Sequence, residues 1–138
     1  MNKWDHFYMQ IAYDAAMLSS CKRKQVGAVL VKEGRIISFG YNGTLPGDDN
    51  NCEDYLTGKT KPGVAHAEQN AIYKVAASNE STQDSTLYIT CAPCIECSKI
   101  IIRSGIKKII YGEIYKNHNH SGLLERHNVE FIKYKALE

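Results

Sequence analysis

The sequence predicts an α/β fold in which about five strands form a mixed sheet with helices on both faces. A helical repeat opens the chain, two strand-like runs follow as a hairpin, and strand and helix signals then alternate towards the C-terminus. A strand–helix–strand order at this spacing is typical of a βαβ unit, which predicts parallel strands joined by a right-handed crossover.

The first half of the chain supplies a helix, a hairpin and a second helix. Apolar residues at helical spacing predict the first helix over residues 4–19. Its expected buried face consists of Trp4, Phe7, Tyr8, Ile11, Ala15 and Leu18. Residues 26–31 and 36–39 predict two strands around a turn at 32–35. Helical spacing returns over residues 66–77.

The second half continues the alternation. Residues 86–90 predict a strand, and a helix is expected over 93–104, because proline suits a first helical turn and Gly105 suits the stop. Residues 108–111 and 129–134 predict two further strands. We therefore expect the parallel part of the sheet to lie in this half of the chain.

The composition is that of one soluble globular domain, which we place over residues 1–138. Hydrophobic residues make up 43% and charged residues 23%, and no stretch is long and apolar enough to span a membrane. The polar N-terminus does not resemble a signal peptide, so a cytoplasmic protein is expected. The net charge of only +2 lacks the basic excess of a phosphate-binding nucleic-acid protein. Neither nucleic acid nor membrane is therefore expected as a partner.

The five cysteines are a poor disulfide framework, because their number is odd and three of them lie within seven positions. In a reducing compartment, such a cluster suggests metal binding or redox chemistry. The three clustered residues are Cys91, Cys94 and Cys97.

The residues that carry chemistry stand at the starts of two predicted helices. His66 and Glu68 open one helix, and Cys94 and Cys97 open the other. A spacing of three at a helix start brings both sulfurs to one side, and the free N–H groups there favour thiolates, the form that binds zinc. With His66 these sulfurs give three ligands and leave a fourth position for water, which is the pattern of a catalytic zinc site.

Glu68 stands two residues beyond the histidine and can enter the same cavity without binding the metal. Bound zinc lowers the pKa of water to about 7. Glu68 would then move protons from this water to the ring and to the leaving amine. The pattern His-x-Glu followed by Pro-Cys-x-x-Cys is typical of zinc deaminases. A redox pair, or a structural zinc site with Cys91 as fourth ligand, are the alternatives.

Longer motifs resemble those of a known family. Residues 66–72 (HAEQNAI) and 93–97 (PCIEC) resemble the cytidine and deoxycytidylate deaminase superfamily. Three further segments resemble the deoxycytidylate (dCMP) deaminases: residues 25–29 (QVGAV), 40–43 (GYNG) and 46–47 (PG). The short chain and residues 106–111 (IKKIIY) resemble the phage-type members of that family. The resemblance implies a three-layer α/β/α fold, a homohexamer and conversion of dCMP to dUMP for thymidylate synthesis. It also implies activation by dCTP and inhibition by dTTP, each with Mg²⁺.

The resemblance assigns three substrate contacts. Asn42 matches an asparagine that faces the sugar and phosphate, and Tyr115 matches a tyrosine that closes over the nucleotide. The backbone N–H of Ala67 matches the group that holds the cytosine carbonyl. The alternatives are that Asn42 caps a turn and that Tyr115 only packs.

A basic run fits a phosphate independently of the resemblance, because a monophosphate needs fixed positive donors. The run is Lys22, Arg23 and Lys24, and we expect at most one of these residues, with Arg23 and Lys24 as the candidates, in direct contact. The alternative is a solvated loop.

Cys21 and Cys52 match two ligands of a second, structural zinc found in some phage-type members. Val64 stands where another ligand would be needed, and two thiolates are an incomplete zinc site. A second zinc is therefore one interpretation of this pair of cysteines.

Residues 40–63 are the longest irregular stretch, and a loop of this length is usually functional or flexible. We expect residues 43–63 to form part of an effector site for dCTP or dTTP across a subunit interface. Its glycines allow backbone N–H groups to approach phosphates, and its carboxylates suit magnesium. These carboxylates belong to Asp48, Asp49, Glu53 and Asp54. A flexible acidic loop is the alternative.

Two other functions stay open on the sequence alone. Another superfamily deaminase, acting on cytidine, guanine or tRNA, would carry the same zinc motif. A zinc-stabilised binding module would keep the metal ligands but would have no use for the Glu68 carboxylate.

Overall fold

The computed structural model describes residues 1–116 and 119–137. Within them the chain forms four helices and five strands. In chain order these elements are α1 (Lys3–Ala16), β1 (Gly27–Lys32), β2 (Arg35–Tyr41), α2 (Ala67–Ala76), β3 (Thr86–Cys91), α3 (Ile95–Arg103), β4 (Lys108–Glu113), α4 (Ser121–Arg126) and β5 (Glu130–Lys133).

The five strands form one mixed sheet in the order β2-β1-β3-β4-β5. Strand β1 pairs antiparallel with both β2 and β3. Strands β3, β4 and β5 are parallel, with Leu87 opposite Ile109 and Ile109 opposite Phe131. The mixed sheet and the parallel strands predicted from the second half of the chain are confirmed.

Successive strand residues point to opposite faces of the sheet, and both faces are covered. On one face, Val29, Tyr88 and Ile110 pack in a cluster with residues of α1. The cluster on the other face takes strand residues together with residues of α2, α3 and α4. Its strand members include Ala28, Leu30, Leu87, Ile89 and Ile109. The three-layer α/β/α architecture follows from this alternation.

Two glycines bring helices unusually close to the sheet. A Cβ atom on Gly27 would lie 1.9 Å from the carbonyl oxygen of Ala12 in α1. A Cβ atom on Gly40 would lie 2.4 Å from the carbonyl oxygen of Ala67 in α2. Contacts this short are not tolerated, so these strand positions need glycine. Gly40 thereby fixes the depth at which the start of α2 meets the sheet.

The predicted buried face of α1 is wrong in part. Trp4, Phe7 and Leu18 are 55%, 51% and 60% exposed. Tyr8 and Ala15 are buried as predicted, and the other buried residues of the helix are Met9, Ala12 and Ala16. The close approach at Gly27 explains the difference, because only a face rich in alanine fits so near the sheet.

Two smaller differences concern helices. The helix predicted from residue 93 begins at Ile95, because Cys94 is its extended N-cap. The six-residue helix α4 (Ser121–Arg126) was not predicted, since it is too short to show a helical repeat. No helix in the described part of the chain is long and apolar enough to cross a lipid bilayer.

Candidate active site

His66, Cys94 and Cys97 come together where two helices begin. His66 is the N-cap residue of α2, and Cys94 is the N-cap residue of α3. The Nδ1 atom of His66 lies 3.1 Å from the Sγ atom of Cys97 and 3.7 Å from that of Cys94. Donors around one tetrahedral zinc ion lie about 3.3–3.8 Å from each other, given bonds of about 2.0–2.3 Å. The three donor atoms all lie within 4.8 Å of one another, which is close enough for them to share one zinc ion after small adjustments.

Local hydrogen bonds fix both helix starts. The backbone N–H of His66 donates to Oε1 of Gln69 at 2.7 Å. The backbone N–H of Cys97 points to the Sγ atom of Cys94 at 3.5 Å. Both contacts satisfy N–H groups that the first turn of a helix leaves without a partner. The same contacts orient the metal-ligand residues.

Cys91 lies outside this cluster. In this cluster, the potential ligand atoms that lie within 4.8 Å of one another belong to His66, Cys94 and Cys97, and Cys91 is not among them. Cys91 is buried at the end of β3, and burial raises the pKa of its thiol to about 11. The arrangement thus favours three ligands over the four-ligand structural site.

The electrostatics of the cluster favour a thiolate. The hydrogen bond from Cys97, with a further one from His66, lowers the pKa of the Cys94 thiol to about 3. The hydrogen bond with Cys94 in turn raises the pKa of His66. Cys94 therefore carries the negative charge that zinc requires of a sulfur ligand.

Glu68 is in the first turn of α2 and is only 3% exposed. Burial raises the pKa of its carboxyl group to about 7. A carboxyl group with a pKa near neutrality can both accept and donate a proton under ordinary conditions. This is the property that a proton-transfer residue needs.

One cavity, of about 180 Å³, connects these groups with the predicted substrate contacts. The starts of α2 and α3 contribute His66, Ala67, Glu68 and Cys94 to its lining. The other contributions come from the segment before β1, from the loop after β2, from the end of β3 and from the segment after β4. They include Lys24, Val26, Asn42, Thr60, Val64 and Tyr115.

Asn42 joins two of these segments through its side chain. Its Oδ1 atom accepts a hydrogen bond from the N–H of Val26 at 2.9 Å. Its Nδ2 atom donates to the carbonyl oxygen of Lys24 at 2.7 Å. Asn42 thus holds the segment before β1 against the cavity.

The structure separates the two candidate phosphate contacts. The Nζ atom of Lys24 pairs with the carboxylate of Glu113 and lies 5.2 Å from the centre of the Tyr115 ring. Arg23 lines a different surface depression, together with Lys22 and Tyr55. Within this chain, the cavity therefore receives Lys24 and not Arg23.

Sequence reasoning missed several residues of the cavity. Thr60 comes from the irregular stretch before α2, and no motif marks it. Val64 lies only two residues before His66, and this closeness in sequence is the one signal that could have placed it in the cavity. Cys91 and Ala92 line the cavity because they lead directly into the start of α3.

Cys21 and Cys52, the candidate ligands of a second metal, are joined in a disulfide. Neither sulfur is a thiolate in this state. The carboxylate of Glu53 lies within 4.8 Å of both and accepts hydrogen bonds from the N–H of Lys22 at 3.2 Å. The pair ties the 43–63 loop to the segment before β1, and the second metal stays a prediction.

Three of the four acidic side chains of this loop have local partners. Asp49 pairs with Lys61 at 3.4 Å, and Glu53 accepts from Lys22. Asp54 accepts from the N–H groups of Leu56 and Thr57 at 2.9 and 3.1 Å. These contacts tie the three carboxylates to the loop itself, so a cation would have to compete with them.

Comparisons with known proteins place this arrangement in a family. Residues 2–113 match the family model of the cytidine and deoxycytidylate deaminase zinc-binding region. The chain is 37% identical over 121 residues to deoxycytidylate deaminase of Mycobacterium phage D29, an alignment that covers 78% of this chain and 93% of the relative. It is 36% identical over 122 residues to ComE operon protein 2 of Bacillus subtilis (strain 168). That alignment covers 83% of this chain and 62% of the relative, so the chain spans less than two thirds of that protein.

A solved structure shows the same fold over nearly the whole chain. The crystal structure of dCMP deaminase from the cyanophage S-TIM5, in complex with dCMP and dUMP, superposes with a TM-score of 0.92 at 40% identity. The superposition covers 97% of this chain and 99% of that one.

Proposed function

Because the chain belongs to the cytidine and deoxycytidylate deaminase family, we propose that it hydrolyses dCMP to dUMP and ammonia, and so supplies dUMP for thymidylate synthesis. The observation that carries the proposal is that His66, Cys94, Glu68 and Lys24 line one and the same cavity. The phage relative named deoxycytidylate deaminase and the cyanophage enzyme crystallised with dCMP and dUMP support this substrate.

The residues of the cluster fit a zinc ion. One imidazole nitrogen and two sulfurs lie within 4.8 Å of one another, and the pKa of the Cys94 thiol is lowered to about 3. We assign His66, Cys94 and Cys97 as the ligands. When bound, zinc would lower the pKa of its water molecule to about 7, so that a hydroxide nucleophile is available at neutral pH.

Glu68 is assigned the proton transfers. Its carboxylate accepts a proton from the attacking water and donates it to the ring nitrogen. It then accepts the remaining proton of the added hydroxyl group and donates it to the amino group, whose bond to the ring carbon breaks as the carbonyl forms. Water thereby adds oxygen to the ring carbon, and the amino group leaves as ammonia. The pKa of about 7 for Glu68 suits both directions of transfer.

The remaining cavity residues are assigned to the nucleotide. The N–H of Ala67, at the first position of α2, holds the cytosine carbonyl. Asn42 and Tyr115 contact the sugar and phosphate, and Lys24 supplies the charge for the phosphate. Arg23 would reach a phosphate only from outside this cavity.

A substrate panel tests the function. Deamination of cytidine, deoxycytidine, dCMP and dCTP is followed by the change in absorbance, and the highest kcat/KM is expected for dCMP. Equal values for deoxycytidine and dCMP would show that the phosphate is not recognised. Turnover of none of the four would favour a deaminase for guanine or tRNA, or a zinc-stabilised binding module.

We extend the proposal to assembly and regulation on the family resemblance. The enzyme would be a cytoplasmic homohexamer of single-domain subunits (residues 1–138), within the host cell if it is encoded by a phage. It would be activated by dCTP and inhibited by dTTP, each with Mg²⁺. The 43–63 loop supports an effector site, because a surface depression there is lined by Asp48, Asp49 and Lys61.

Effector action requires two states of the assembly that bind the effectors unequally. We expect a sigmoidal dCMP curve that becomes hyperbolic with dCTP and shifts to higher dCMP with dTTP. Light scattering checks the hexamer. A hyperbolic curve that neither nucleotide moves would contradict regulation.

A further inference from the structure

Glu113 pairs with Lys24, the lysine that lines the cavity, but does not itself line the cavity. It is the last residue of β4, and its carboxylate pairs with the Nζ atom of Lys24. Lys24 lines the cavity, whereas Glu113 does not contribute to the lining. Among the described cavity-lining residues, Lys24 carries the only lysine or arginine side chain. The position of this one ammonium group therefore decides where the cavity attracts an anion.

We propose that Glu113 is a positioning residue for phosphate recognition: it holds the ammonium group of Lys24 beside Tyr115, where the substrate's monophosphate binds. This inference rests on the proposed function, because it assigns the phosphate of dCMP to Lys24.

The contacts of Lys24 define a single position for its ammonium group. Glu113 holds it from one side, and its Nζ atom lies 5.2 Å from the centre of the Tyr115 ring. The backbone of Lys24 is held separately, because its carbonyl oxygen accepts from Asn42 at 2.7 Å. A lysine stem is flexible and loses rotamer freedom when it binds an anion. Contacts that order the stem beforehand reduce that loss.

Glu113 is itself anchored to the strand ends that carry the site. Its carbonyl oxygen accepts from the N–H of Ala92 at 2.7 Å, and its Cα atom is opposite Cys91 in the sheet. Ala92 leads into Pro93 and Cys94 at the start of α3. The carboxylate therefore keeps Lys24 at a fixed place relative to the metal ligands.

The charge of Glu113 leaves Lys24 able to bind phosphate. An ammonium group has three N–H donors, and the pairing with Oε1 of Glu113 occupies one of them. The hydrogen bond to Glu113 raises the pKa of Lys24, which stays cationic. The Glu113 side chain is 55% exposed and that of Lys24 33%, so water screens the carboxylate more than the ammonium group.

The test compares Glu113→Gln with Lys24→Met in the zinc-loaded enzyme. Losing a charge-assisted hydrogen bond to phosphate should raise KM for dCMP about 10- to 100-fold in Lys24→Met. Losing an exposed ion pair should raise KM about two- to fivefold in Glu113→Gln, with little change in kcat. In the double variant, Glu113→Gln should add nothing to the effect of Lys24→Met, because its effect acts through the lysine.

A matched control is Glu80→Gln, which breaks an exposed ion pair with Arg35 away from the cavity and should leave KM unchanged. An unchanged or lowered KM in Glu113→Gln would overturn the proposal, since the carboxylate would then be neutral or a competitor of the phosphate. A further rise in the Lys24→Met background would also overturn it. Absence of dCMP turnover by the unmodified enzyme would instead refute the proposed function, and this inference with it.

Discussion

The Nδ1 atom of His66 lies 3.1 Å from the Sγ atom of Cys97, although 31 positions separate the two residues in the chain. The starts of α2 and α3 meet at this point, and β3 is the one strand between them in sequence. Helix starts offer free N–H groups and the positive end of the helix dipole, which stabilise thiolates. The convergence of two helix starts therefore brings two short motifs together in a cluster that could hold a metal ion.

Replacing Cys97 by serine removes one sulfur from this cluster. We expect the zinc content, about one ion per chain in the parent protein, to fall severely, because two ligands hold zinc weakly. Metal analysis of the purified protein measures this. Cys91→Ser is the matched control and should keep its zinc, since Cys91 lies outside the cluster. Equal loss of zinc in both variants would contradict the three-ligand assignment.

Gly40→Ala is expected to destabilise the protein by about 1–3 kcal/mol, the usual range for overpacking. The added Cβ atom would lie 2.4 Å from the carbonyl oxygen of Ala67 and 2.6 Å from the nitrogen of Ala71, both backbone atoms of α2. Displacing α2 also moves Glu68, so turnover should fall. Denaturant unfolding measures the stability.

Gly122→Ala is the control for this substitution. Its Cβ atom would meet nothing within 4 Å, and alanine is favoured over glycine inside a helix. We expect its stability to be unchanged or slightly raised. If Gly40→Ala unfolds at the same denaturant concentration as the parent, α2 does not approach Gly40 closely enough to exclude a Cβ atom.

Asn42→Ala leaves the N–H of Val26 and the carbonyl oxygen of Lys24 without their side-chain partner. Unsatisfied backbone groups of this kind cost about 1–3 kcal/mol each when buried. We expect a lower unfolding free energy and a higher KM for dCMP, because Lys24 loses its backbone support. Asn51→Ala, which removes one long hydrogen bond of 3.4 Å to the N–H of Glu53, is the control. Equal effects of the two substitutions would leave Asn42 without a special role.

The sequence predicts which residues of the candidate metal cluster come together, because the two motifs are local. The cysteine spacing and the place of His66 and Cys94 at helix starts determine which atoms face each other once two helices begin near one another. The nearly continuous apolar runs of β1 and β3 are likewise typical of strands in a sheet that is covered on both faces. Both motifs depend on neighbours within a few residues, whereas the meeting of the two helix starts joins residues 31 positions apart.

Other features depend on contacts between distant segments and could not be predicted. The burial of Ala12 in place of Trp4 depends on how closely α1 approaches Gly27. Arg23 and Lys24 are adjacent in the chain, yet only Lys24 lines the cavity, because Asn42 and Glu113 hold it there. The place of Thr60 in the cavity depends on the path of a loop that carries no repeat or motif.

The turnover of dCMP by zinc-loaded Glu68→Gln tests directly whether Glu68 carries the proton transfers. Glutamine preserves the shape of this buried side chain but cannot transfer protons, so we expect kcat to fall by about 100- to 10,000-fold while zinc and stability are retained. The control is Glu96→Gln, an exposed glutamate in the first turn of α3 that pairs with Lys99, and it should turn over normally. Near-normal turnover of dCMP by Glu68→Gln would contradict the assignment of Glu68, since another residue would then have to transfer the protons.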